Sequence, residues 1–153
     1  MTLPFDLLPE HPIISQCHKD IEGLRDKKIV NLTGFTNTEL KLKYGAPNLT
    51  LLTEYDENYT LFSSSLYKWG EALYKEGYEQ EGINLLELCI ATKTDISGNY
   101  RLLYDHYTKN GNQDKINWLR QSAESLNCVM KNPIIRSLSE SGQTVKAADP
   151  CND

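Results

Sequence analysis

The chain has 153 residues and carries 16 Lys and Arg against 21 Asp and Glu, for a formal charge of −5. That length suits one modest core, and the acidic balance leaves no basic stripe of the kind that neutralises phosphates, so nucleic acid and anionic membrane are excluded as expected partners. No apolar run approaches the roughly 20 residues of a membrane span, and the opening MTLPFDLLPEHPII lacks the basic flank and cleavage site of a signal peptide.

As written the chain reads as a cytoplasmic protein. If Met1 is not the natural start, an upstream anchor would lie outside it. Cys17, Cys89, Cys128 and Cys151 are far apart and form no CxxC or Cys/His cluster, which gives free thiols and no metal site or cofactor. Asn31, Asn48 and Asn58 each begin an Asn-X-Thr triplet. Without a secretory signal that pattern is only local composition.

Pro4, Pro9 and Pro12 fix φ and remove backbone donors, so residues 1–12 are expected to run extended over the surface. From Ile13 to about Lys28, Ile14, Cys17, Ile21 and Leu24 keep helical spacing, and Gly23 weakens the helix without erasing the pattern. Thr36 and Glu39 form a capping box that opens a short helix, stopped near Tyr44 by Gly45 and Pro47. From about Asp56 to Glu76, Tyr59, Phe62, Leu66, Trp69 and Leu73 make one apolar stripe. Gly77 turns the chain, and Ile83, Leu85, Leu86, Cys89 and Ile90 give a returning helix that ends before Asp95.

The same plan recurs over Ser97 to Asn110 and Asn112 to about Leu126, turning at Gly111. Leu66, Trp69, Gly70, Leu73, Gly77 and Cys89 return 34 residues later as Tyr100, Leu103, Tyr104, Tyr107, Gly111 and Ala123. Pro133 suits the first position of a last helix, whose Ile134, Ile135 and Leu138 would cover the end of the repeats. Ser139 to Asp153 is small, polar and unpatterned, which gives a disordered tail over 140–153.

These residues resemble two consecutive tetratricopeptide repeats across about Ser63 to Cys128. Leu66, Trp69, Gly70 and Leu73 stand where that family places a large apolar residue, Leu-Gly and Tyr, with Gly82 and Cys89 at its small positions. In the second copy, Tyr100, Leu103 and Tyr107 match and Ala123 is small. Tyr104 replaces the family's glycine, Ile116 occupies a usually small site, Arg120 stands where an aromatic is common, and the closing proline is missing from both copies.

The resemblance implies an all-α domain over residues 1–139. An arm and cap helices would occupy 1–55, TPR-like hairpins 56–128 and a C-terminal capping helix 129–139, because two repeats need help to cover their apolar faces. It also implies a noncatalytic protein–protein interaction module. The partner-binding face would be Tyr67, Glu71, Tyr74 and Lys75 in the first copy and Arg101, Asp105, Thr108 and Lys109 in the second, all of which also read as ordinary solvated helix positions.

Glu71 and Asp105 disfavour a terminal carboxylate there, so the expected partner is an extended segment of basic or mixed polar character stacked on Tyr67 and Tyr74. Trp118 is a further interface candidate, its alternative being burial under the arm or tail. A self-associating structural subunit is the second reading. An enzyme is disfavoured: the sequence has no GxSxG, phosphate loop, HExxH or dinucleotide fingerprint, and His11, His18 and His106 are dispersed.

Overall fold

A computed structural model describes residues 3–32 and 35–140, and the described residues are all-α, with no strand. None of their helices is long and apolar enough to cross a membrane. Two compact units divide the chain, Met1–Thr94 and Asp95–Asp153. The first holds α1 (Pro12–Gly23), α2 (Asn37–Tyr44), a 3₁₀ turn at Ala46–Asn48, α3 (Leu49–Lys75) and α4 (Glu79–Ala91). The second holds α5 (Ser97–Lys109), α6 (Gln113–Glu124) and α7 (Lys131–Glu140).

In the first unit α1 packs on α3, and Ile14, Cys17 and Ile21 bury themselves with Leu66, Trp69, Leu73, Leu85 and Cys89. The helix stops at Gly23, short of the expected Lys28. Leu24 turns inward to be buried, its N–H bonding Ile21 O at 3.0 Å, and the charged Arg25 to Lys28 offers nothing apolar to hold another turn on the core.

The arm before α1 is not a simple extended strand. Its turns are closed by Leu7 N–H to Pro4 O (3.2 Å) and His11 N–H to Leu8 O (3.1 Å). Leu3, Phe5, Leu7 and Leu8 pack on the core cluster, and the Phe5 ring lies 4.9 Å from that of His18 and 5.0 Å from that of Trp69. His18 and Trp69 meet edge to face at 4.7 Å. Burial pushes His18 below its ordinary 6.5, against an opposing pull from Glu22.

Thr36 and Glu39 form the expected reciprocal cap on α2, the Thr36 N–H reaching Glu39 Oε2 at 2.7 Å. Gly45, at φ +89°, ends that helix. The long helix then begins at Leu49 instead of Asp56, because Pro47 opens the next turn as well as closing the last one, and its fixed φ suits a helical start. The extra turns place Leu52 against Leu32 and Leu40 in a small second cluster.

Side-chain amides tie the loops down. Asn31 Nδ2 donates to Thr92 O at 3.0 Å, Asn58 Nδ2 to Lys28 O at 3.0 Å and Asn48 Nδ2 to Tyr44 O at 2.7 Å. α3 and α4 are further locked by Ser63 Oγ to Thr94 Oγ1 (2.8 Å) and Cys89 Sγ to Ser63 O (3.2 Å).

The turn after α3 recurs after α5 in the same register. α3 and α5 end at Lys75 and Lys109, α4 and α6 begin at Glu79 and Gln113, and each pair lies 34 positions apart. Tyr78 N–H bonds Leu73 O at 2.9 Å, as Asn112 N–H bonds Tyr107 O at 2.9 Å. Gly77 (φ +99°) and Gly111 (φ +68°) both take the left-handed conformation that closes such a turn.

In the second unit α7 packs on α5 and α6 through the buried Ile134 and Leu138. It starts two residues before Pro133, which still falls in the first turn where no intrahelical donor is needed, and it runs to Glu140 instead of fraying from Ser139. The remainder of the expected tail, 141–153, lies outside the described residues.

Candidate functional site

A groove of about 530 Å³ opens in the first unit between the start of α1 and the last turns of α3. Helical spacing aligns Lys68, Glu71, Ala72, Lys75 and Glu76 along one side of α3, and His11 and Ile13 close the groove from α1. Ala72 is buried, but Ile13 keeps 50 % of its surface exposed although it belongs to a helix whose other apolar residues are covered. That is the groove's apolar contact.

The polar rim is organised by pairs. Tyr67 Oη donates to Glu71 Oε2 at 3.2 Å, and Lys75 Nζ stands 3.8 Å from the same oxygen. Burial raises the Tyr67 phenol above its usual 10, and the Glu71 carboxylate pushes it further, so it remains a donor across neutral pH. His11 caps α1 by accepting the Ile13 N–H at Nδ1 (3.2 Å), which leaves the ring proton of the neutral form on Nε2, 3.6 Å from Glu76 Oε2. Both carboxylates of the groove therefore face donors from this chain. Lys68 differs: among the described residues no carboxylate lies within 4.0 Å of its ammonium.

Of the sequence-derived face, Glu71 and Lys75 line the groove and Tyr67 joins them through its hydroxyl. Tyr74 is not among the groove's lining residues; its backbone lies beside α4, where a Cβ added to Gly82 would meet Tyr74 N at 2.9 Å. Arg101, Asp105, Thr108 and Lys109 are exposed along α5 in the second unit, the spacing i, i+4, i+7, i+8 putting them on one helix face. Trp118 on α6 is half-buried, with Lys115 Nζ 4.8 Å from its ring.

His11, Ile13, Lys68 and Glu76 escaped the sequence reading. His11 and Ile13 reach the groove only when α1 docks on α3, and segments more than 50 residues apart leave no local spacing to read, whereas Lys68 and Glu76 share the helical phase of Glu71 and Lys75 without belonging to the expected face. Among the described residues no group of three or more His, Cys, Asp or Glu is placed to hold a metal ion. Cys17 packs in the core cluster, and burial and Asp20 push its thiol up to about 11 against an opposing pull from Lys68. Comparison with known proteins finds no matching family model, curated protein or solved structure.

Proposed function

We propose that the chain is a noncatalytic interaction module built on two TPR-like helical hairpins, holding a partner segment on the exposed face of the first helix of a hairpin. The observation that carries this reading is the α1/α3 groove: a half-exposed isoleucine is framed by Tyr67–Glu71–Lys75 and His11–Glu76. A short apolar anchor surrounded by satisfied polar groups is the usual anatomy of a recognition site. The repeated turn register supports the duplicated-hairpin part of the reading.

Affinity capture with the full chain and with an Ile13→Asp, Lys75→Glu double variant tests it. Partners retained by the wild type and lost from the variant, with an unchanged helical circular dichroism spectrum, are the expected result. Identical partner sets would remove the groove from the function.

A further inference from the structure

We infer that the segment taken by this groove is acidic and apolar, a carboxylate side chain next to a branched or long aliphatic one, with the carboxylate on Lys68 and the aliphatic group against Ile13. This rests on the groove being a docking site and names the class of partner it fits.

The groove's negative groups are already engaged, Glu71 by the Tyr67 hydroxyl and Lys75, and Glu76 by His11. A basic ligand would meet carboxylates that already face donors of this chain, and so would gain less there than beside an unpaired acid. Asp20, the acid beside Cys17 on the α1 side, is also occupied: Oδ1 accepts from Gln16 Nε2 at 3.0 Å and Oδ2 from Ser65 Oγ at 3.3 Å. Among the described residues Lys68 is the groove cation with no carboxylate within 4.0 Å, and it shares the groove with Ile13, which is half exposed.

A ligand carboxylate near Lys68 therefore gains an opposite charge at no cost to an existing pair, and a neighbouring aliphatic group removes the exposed surface of Ile13 from water. Each hydrogen-bonded partner in the rim stays in place. This reverses the basic or mixed preference expected from the sequence, where Glu71 counts as a free negative charge because its partners are not visible.

The test uses the full chain, ¹⁵N-labelled, titrated with two capped tetrapeptides, acetyl-Leu-Asp-Leu-Asp-amide and acetyl-Leu-Lys-Leu-Lys-amide. The acidic peptide is expected to move the amides of Ile13, Lys68 and Ala72 in a saturable way. Lys68→Glu is expected to weaken that binding at least tenfold, while Lys68→Arg retains it within about threefold. Because Lys68 is exposed, both variants keep the fold, which equal thermal melts would verify.

Preferential binding of the basic peptide at the same amides would overturn the acidic assignment and leave the docking role standing. Failure of both peptides to move those amides, or an acidic affinity indifferent to Lys68→Glu, would also overturn the assignment. The docking role itself stands or falls on the capture experiment.

Discussion

Gly70 of α3 and Gly82 of α4 face each other so closely that a Cβ on Gly70 would sit 3.0 Å from Gly82 O, and a Cβ on Gly82 would sit 2.6 Å from Gly70 O. Leu86 fills the rest of that crossing, 3.0 Å from the same hypothetical Gly70 Cβ. Moved along by 34 residues, the three positions become Tyr104, Ile116 and Arg120. The second hairpin therefore cannot close in the same way. It packs the phenol of Tyr104 under the Arg120 guanidinium, 5.7 Å from the ring centre, in the place where the first hairpin packs bare backbone under Leu86.

Replacing Gly82 by Ala is expected to destabilise the first unit by about 2 kcal/mol, because the obstructing atoms are backbone and the helices must separate. The better helix propensity of alanine returns up to about 1 kcal/mol and does not reverse the sign. Gly23→Ala is the control: nothing lies within 4 Å of its added Cβ, so the propensity gain remains and stability should rise slightly. Urea unfolding of the two variants checks the opposite signs.

Arg120 also reaches α7, with Nη2 3.4 Å from both Tyr104 Oη and Leu138 O. A cation suits the carbonyl end of that helix. Arg120→Ala is expected to cost about 1 kcal/mol and to speed amide exchange in the last turns of α7 more than in α5, since both bonds are long and the loss is local. Hydrogen exchange measured residue by residue distinguishes this from uniform loosening of the unit.

His18 makes the first unit sensitive to mild acid. Its half-buried ring is held below the ordinary 6.5 of the unfolded chain, so the unfolded state binds more protons there and stability rises with pH. The contribution is complete above the unfolded value and is lost as pH falls below about 6.5 toward the native one. Denaturant midpoints at pH 7.5 and pH 5.0 should differ less in His18→Phe than in the wild type. An unchanged difference would mean that other groups carry the acid response.

Much of the fold was legible because it depends on local chemistry. Gly77 and Gly111 mark turns that need positive φ, Thr36 and Glu39 mark a cap, and the Leu66–Trp69–Leu73 stripe marks a buried face. The misjudged boundaries share a cause: Gly23 ends a helix because tertiary support stops there, and Pro47 starts one because Leu52 has somewhere to pack. The candidate groove was half legible. Glu71, Lys75, Lys68 and Glu76 share one helical phase, whereas His11 and Ile13 depend on the pairing of α1 with α3. The effective charge of Glu71 depends on the Tyr67 hydroxyl, a contact that helical spacing permits but does not specify.

The amide nitrogens of Asn31, Asn48 and Asn58 already hold backbone carbonyls, two of them across more than 25 positions of chain. Oligosaccharide transfer would need those same nitrogens. Production through a secretory host would consequently pit sugar attachment against closure of the loops around α3, and material made in a bacterial cytosol is the sound choice for every measurement above.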